Sequence, residues 1–298
     1  MTAPIRVATR GSALARWQAE RVVALLGVPA ELVIVTTTGD RDRTSAIHAI
    51  GGNGVFVKEV QEAVRRGDAD LAVHSAKDLP AVTPPGLLLA AVPERADARD
   101  ALVGAALDEL PVGGTVGTGS VRRRAQLAAV RPDLRFAELR GNVPTRVERA
   151  ENFDAVVIAV AALARLALAD HAAEVLPIEV MLPMVGQGAL AVECRVDDPA
   201  AIELLATIDD AEAHCAVVAE RAFLAELGGG CTMPCGAYAQ VAADGTLSVQ
   251  ALLAATDGSQ ILRTTRTGSD GPAAGRAAAR HILDNLGGAA LLLADGAS

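Results

Sequence analysis

The stretch LAVHSAKDLP, residues 71–80, decides how the rest of the chain is read. Its apolar run, Leu71 to Val73, follows Asp68 and Asp70 and stops at His74-Ser75; Lys77 and Asp78 come next, and Pro80 ends any regular structure. In an α/β protein this is the pattern of a buried strand whose C-terminal end opens into a loop. Ligands of open α/β sheets sit just beyond such strand ends, so Asp78, with Lys77 beside it, is placed to meet one. Taken alone, the pair more often marks a surface ion pair or a turn-capping aspartate, because position in a fold does not establish function.

Outward from this stretch, the chain of 298 residues is long enough for two or three domains with cores of their own. Aromatic residues make up only 2%, which leaves few surfaces for stacking bases. The net charge of −9 further argues against a general nucleic-acid binder. No apolar run reaches the roughly 18 residues that span a bilayer. The opening MTAPIRVATR lacks the basic and then long apolar regions of a signal peptide. The expectation is a cytoplasmic protein without a membrane partner, whose four cysteines (Cys194, Cys215, Cys231, Cys235) are reduced thiols.

One device recurs along the chain: an apolar strand, a turn of small residues, then a helix start with arginine nearby. Ile5 to Thr9 reads as a strand, Arg10-Gly11-Ser12 as a turn, and Ala13 to Leu26 as a helix carrying Gln18. Backbone N–H groups at such a helix start favour an anion. Glu31 to Thr37 is a second strand, residues 41–54 a loop that suits a lid, and Phe56 to Arg66 a helix leading to the strand before Asp78. This alternation predicts a largely parallel sheet. Prolines exclude a helix at 84–85. Leu87 to Val92 and Ala101 to Val103 read as strands around a charged turn, with a domain crossing near 93–100.

The device returns at Thr118 and Ser120 in TVGTGS (115–120), before a helix over Val121 to Val130 that carries Arg122, Arg123 and Arg124. It returns again at Arg140-Gly141-Asn142, after a strand over Arg135 to Leu139. Pro144 is expected there as the first helical residue, with Arg146 beside it. A fourth instance is the strand Asp154 to Val160, followed by a helix over Ala161 to Leu168 with Arg165. Residues 121–149 hold eight arginines against Asp133, Glu138 and Glu148, in a chain that is acidic overall. Arginines flanking glycine turns at strand ends suit a pocket for a ligand with several anionic groups, since the guanidinium fork binds carboxylates or phosphates bidentately.

Met181 to Arg195 presents Gln187 between glycines and then an apolar run that suits a strand returning to the first sheet. A helix over Ala211 to Leu227 leads to Gly228-Gly229-Gly230-Cys231. A thiol on such a loop has little steric cover and suits a reactive or modified cysteine, although burial as a small hydrophobe is the commoner fate of a free cysteine. The cysteines and five histidines show no metal-ligand spacing. Tyr238 to Thr267 alternates around turns at Asp244-Gly245 and Asp257-Gly258, and residues 272–286 read as a helix, so the C-terminal part is expected to be a small α+β unit.

Eight pieces together resemble one family, hydroxymethylbilane synthase, also called porphobilinogen deaminase. They are ATRGS (8–12), FVKE (56–59), AVHSAKDLP (72–80), VGTGSVRRRAQL (116–127), LRGNVPTR (139–146), AVAALARL (159–166), LPMVGQGAL (182–190) and GGCTMPCG (229–236), in the family's order and spread over most of the chain. The resemblance implies two periplasmic-binding-protein-like α/β lobes with mixed, mainly parallel sheets and a smaller α+β third domain. Lobe 1 would comprise residues 1–93 and 189–207, lobe 2 residues 94–188, and the cofactor-attachment domain residues 208–298. It implies head-to-tail condensation of four porphobilinogens on a dipyrromethane primer bound covalently through Cys231, with Asp78 as the catalytic carboxylate. It implies carboxylate binding by Arg10, Ser12, Lys77, Ser120, Arg122, Arg123, Arg140, Arg146 and Arg165, secondary contacts from Gln18, Thr118 and Gln187, no metal, and a monomer. Two residues depart from the family's pattern: Gly119 stands where a serine is usual and Asn53 where a lysine is often found. The alternatives are a two-lobed binder of a small anion without catalysis and a nucleotide-binding enzyme. The latter lacks a GxxxxGK[ST] phosphate loop.

Overall fold

The computed structural model describes residues 3–37, 57–229 and 233–296. The loop at 41–54 and Cys231 lie outside the described residues. The chain opens with strand β1 (Ile5–Arg10) and helix α1 (Ala13–Leu26). Ser12 starts the helix by accepting a hydrogen bond from the Ala15 N–H at 3.3 Å, and Gly27 ends it in the left-handed region at φ +63°. The helix buries Gln18, Ala19, Val22 and Leu26, one face at helical spacing. There follow β2 (Ala30–Val35), α2 (Lys58–Arg65), β3 (Leu71–Ser75) and β4 (Leu87–Ala91). Strand β3 runs through His74 and Ser75 rather than stopping there, and Ala76–Asp78 form a 3-10 turn.

The chain continues through β5 (Asp100–Gly104), β6 (Thr115–Gly117), α3 (Val121–Val130), β7 (Arg135–Ala137), α4 (Val143–Glu148), β8 (Ala155–Ala159), α5 (Val160–Arg165) and β9 (Ala172–Val175). Helix α4 begins at Val143, so Pro144 is its second residue; Asn142 caps it. Strand β9 carries no long apolar run and was not expected. Strand β10 (Leu190–Arg195) and helix α6 (Pro199–Ala206) follow, then α7 (Ala211–Glu226), β11 (Cys235–Val241), β12 (Leu247–Ala254), β13 (Ile261–Gly268), α8 (Gly271–Arg280) and α9 (Gly288–Gly296). The helix read over 272–286 changes to a π turn at His281–Asn285.

These strands form three sheets: β2-β1-β3-β10-β4, β7-β6-β8-β5-β9 and the meander β11-β12-β13. In the first, β1 is parallel to β2 and β3, and β10 runs antiparallel between β3 and β4. In the second, β6 is parallel to β7 and β8, and β5 runs antiparallel between β8 and β9. The fold is therefore mixed α/β in two five-stranded sheets with a smaller α+β unit. Strands β3 and β8 are almost entirely buried, as strands covered on both faces must be. The parallel strands bring the turns after β1 and β3 to one edge of the first sheet, and those after β6, β7 and β8 to one edge of the second.

The meander packs on α7 and α8 around Phe223, Val249, Leu253 and Ala278. Helices α7 and α8 approach so closely that a Cβ on Gly275 would collide with the Ala219 carbonyl. Gly275→Ala is therefore expected to force the helices apart and destabilise the protein by about 1–3 kcal/mol, read as a lowered urea midpoint at unchanged slope. A midpoint equal to wild type would show that the contact has slack.

Candidate active site

Lys77 and Asp78 occupy the 3-10 turn immediately after β3. The turn is fixed from below by the Ala76 N–H, which donates to the Ala189 carbonyl at 3.0 Å. Its C-terminal side is held by buried Arg221 of α7, whose Nη2 donates to the Pro80 carbonyl at 3.0 Å and to Thr83 Oγ1 at 2.9 Å. From the neighbouring turn, Arg10 ends β1 and Ser12 caps α1. Buried Gln18 reaches across from α1 and donates to Ser75 Oγ at 2.7 Å.

The second sheet contributes the remaining cations. Ser120 caps α3, accepting from the Arg123 N–H at 3.4 Å, and Thr118 Oγ1 accepts from the Ser120 N–H at 3.2 Å. Arg140 lies in the turn after β7. Arg146 projects from α4, its Nε donating to the Gly141 carbonyl at 2.8 Å. Arg165, at the end of α5, donates to the Gly188 carbonyl at 2.6 Å and lies 5.7 Å over the ring of Trp17, on α1 of the first sheet.

Charge effects show which groups share one space. Lys77 is held down to about 8 by burial and by the Arg123 charge, against the opposing pull of Asp78 and Asp100. Arg146 is held down to about 10 by burial and by Arg123 and Arg140, with Asp78 and Glu138 acting the other way. Asp78 thus sits in a field of cations drawn from both sheets. The Nη1 of Arg140 is buried without a hydrogen-bond partner, as is the Nε of Arg123. Burial also holds Arg165 down to about 10. Crowded, partly desolvated cations with spare donors are built to receive carboxylates or phosphates.

Arg122, Arg123 and Gln187 converge on a residue that sequence reasoning missed. Asp100 is 0% exposed and accepts from Arg122 Nη2 at 2.7 Å, Arg123 Nη2 at 2.7 Å and Gln187 Nε2 at 2.9 Å. Arg122 Nη1 donates to the Leu182 carbonyl at 2.6 Å, and Arg123 Nη1 to the Val157 carbonyl at 2.9 Å. Burial alone would push the Asp100 carboxyl up, but Arg123 and Arg122 outweigh it and hold it well below the usual carboxylate range. A second missed residue is Glu220 of α7, also 0% exposed. It takes both Nη groups of Arg95, at 2.6 and 3.1 Å, with the Gly186 and Ala239 N–H groups at 2.7 and 2.8 Å. The available signal was Asp100 between a charged turn and an apolar run. Glu220 carried none beyond its place in a helix.

Two family models match the chain. "Porphobilinogen deaminase, dipyromethane cofactor binding domain" covers residues 5–203, and "Porphobilinogen deaminase, C-terminal domain" covers residues 214–284. The chain belongs to the porphobilinogen deaminase family. Porphobilinogen deaminase from Syntrophotalea carbinolica is 47% identical over 88% of this chain and 86% of its own. The protein of that name from Brevibacillus brevis is 44% identical over 93% of each. Among solved structures, the GluR0 ligand-binding core from Nostoc punctiforme in complex with (L)-glutamate aligns with a TM-score of 0.36 at 14% identity, covering 69% of this chain and 91% of that one.

The family's first model is that of a dipyrromethane-binding domain, and the residues present fit such a group. Two pyrroles with acetate and propionate arms present several carboxylates, and the buried, unpartnered Nη1 of Arg140 is a donor left open for one. Among the described residues no cluster of histidine, cysteine and carboxylate side chains is arranged to hold a metal.

Removing the Asp100 carboxylate strands two buried guanidinium groups. Asp100→Ala is expected to cost about 3–5 kcal/mol, as for other buried pairs broken on one side, measured by denaturant unfolding. Because this carboxyl is depressed in the fold, its contribution is fully present above the ordinary carboxylate pKa of about 4 and is withdrawn as pH falls below it. The variant should therefore lose much of the acid-side steepness in stability. An unchanged pH profile would refute the assignment.

Proposed function

We propose that this protein is a hydroxymethylbilane synthase. It condenses four porphobilinogens head to tail on a covalent dipyrromethane primer, releases ammonia at each addition, and frees hydroxymethylbilane by hydrolysis. The observation that carries the reading is the Asp78 carboxylate in the turn after β3, within a field of cations from two sheets. Family membership and relatives named porphobilinogen deaminase at 44–47% identity support it. A two-lobed binder of small anions would share the lobes and arginines, but gives no reason for a carboxylate amid the cations that hold the ligand.

Loss of ammonia from the substrate's aminomethyl group leaves a positive charge spread over the pyrrole. The Asp78 carboxylate is assigned to stabilise that charge and to exchange the pyrrole N–H proton. Arg140, Arg146, Arg165, Lys77 and Arg10 are assigned to the acetate and propionate arms, with Ser12 and Ser120 adding hydroxyl contacts. Arg122 and Arg123 combine that role with their anchorage on Asp100, and Gln18, Thr118 and Gln187 set the positions of their neighbours. When bound, the dipyrromethane supplies the primer that is elongated, and Cys231 is assigned as its point of attachment. Lobe 1 (1–93 and 189–207), lobe 2 (94–188) and the attachment domain (208–298) are the proposed working units. Among the described residues no helix is long and apolar enough to cross a membrane. A cytoplasmic monomer that binds no nucleic acid completes the reading.

Intact mass of the purified protein tests the primer: polypeptide plus two porphobilinogens less two ammonias is expected, with the adduct mapping to a peptide containing Cys231. Bare polypeptide that gains no adduct on incubation with porphobilinogen would favour the binding protein. Asp78→Ala should lower kcat by about 100-fold or more with thermal stability retained, and near-normal turnover would remove Asp78 from the chemistry. Lys77 carries its charge below pH about 8 and loses it above, so KM for porphobilinogen should rise through that point. Lys77→Arg should shift the inflection upward; the same inflection in that variant would assign it to another group.

A further inference from the structure

The chain has one tryptophan and one tyrosine, and each lies under an arginine. The Arg95 guanidinium is 5.2 Å from the ring centre of Tyr238 on β11, and that of Arg165 is 5.7 Å from the ring centre of Trp17 on α1. The two arginines differ in what else they hold. Arg95 gives both Nη groups to the Glu220 carboxylate and its Nε to the Gln187 carbonyl at 3.0 Å, so its charge is matched and its fork is used. Arg165 donates from Nη2 to the Gly188 carbonyl at 2.6 Å, and among the described residues no carboxylate pairs with it. That carbonyl is itself fixed: it also accepts the Ala96 N–H at 3.2 Å, and a Cβ on Gly188 would collide with the Ala96 carbonyl. Trp17 borders the buried face of α1 and is half-buried, while the next residue, Gln18, is buried and donates to Ser75 Oγ at 2.7 Å. Two consecutive residues of α1 thus serve different sheets, Gln18 the first and Trp17 the second.

How an arginine is held decides what it can still bind. A carboxylate takes the edge of the guanidinium, where the N–H groups point, and cancels its charge. An aromatic ring takes the face, which leaves both the charge and the edge donors in place. We propose that Trp17 is the positioning residue of Arg165: its ring, presented from α1 of the first sheet, holds the guanidinium by its face, so that the edge donors not taken by Gly188 are left for a carboxylate of the substrate. The inference rests on the reading of this site as acting on porphobilinogen. Trp17 acts through Arg165, without contact to the reacting atoms.

The test compares wild type, Trp17→Phe and Trp17→Met as holoenzymes, the primer checked by intact mass. Phenylalanine keeps a ring face, whereas methionine keeps apolar bulk without one. Trp17→Met should raise KM for porphobilinogen about three- to tenfold with kcat within about twofold of wild type, and Trp17→Phe should recover most of that loss. In an Arg165→Gln background Trp17→Met should move KM no further, as expected of a coupled pair. A role confined to packing α1 predicts that methionine serves as well as phenylalanine and that KM rises equally with and without Arg165. Either of those results, or an unchanged KM in Trp17→Met, overturns the proposal while leaving the activity standing. Wild-type holoenzyme that fails to consume porphobilinogen overturns the underlying reading and this inference with it.

Discussion

The site depends on a buried electrostatic knot at Asp100. Two arginines consecutive in sequence, Arg122 and Arg123, would repel one another inside the protein. A single carboxylate with no exposure gives each of them one oxygen and also receives Gln187. Desolvation of such charges is costly, and its return is a fixed geometry. The knot joins the first residue of β5 to the first turn of α3 and to the segment that leads back to the first sheet. Glu220 forms a comparable junction through Arg95, Gly186 and Ala239. Asp100 and Glu220 therefore govern how the two sheet edges and the C-terminal unit meet, and the cations around Asp78 inherit their positions from that arrangement.

The local plan was legible where residue patterns act locally. Strand-then-turn signals at 8–12, 71–78, 115–120 and 154–160 all correspond to strands leading into turns or helix starts, because apolar runs and small-residue punctuation determine these features within a few residues. The ends were less legible: β3 absorbs His74 and Ser75 because β10 pairs alongside both. The short strand β9 and the helix over Pro199–Ala206 escaped notice, since what makes them is packing against distant strands. Within the site, composition identified cations but could not say which were already neutralised. The partners of Arg122 and Arg123 lie 22 and 23 residues upstream in another element. Cys231 and the loop at 41–54 lie outside the described residues, so their readings rest on sequence alone.

The two five-stranded sheets share a plan that has no counterpart in sequence periodicity. Each has three parallel strands with the first in the centre, then an antiparallel strand, then an edge strand. In each case the antiparallel strand follows in sequence a strand of the other sheet: β5 comes after β4 of the first sheet and β10 after β9 of the second. By this exchange each sheet holds one strand whose predecessor in sequence belongs to the other sheet.

The same exchange imposes an order on the making of the protein. All five strands of the second sheet lie between residues 100 and 175, so that sheet can close as soon as this stretch is free to fold. The first sheet cannot. Strand β4 meets β3 only through β10, which ends at Arg195. During synthesis the turn bearing Lys77 and Asp78 exists for more than a hundred residues of elongation without the strand that flanks it. Long loop closures of this kind are slow steps in folding. On a ribosome, the half of the protein made first is therefore the half finished later.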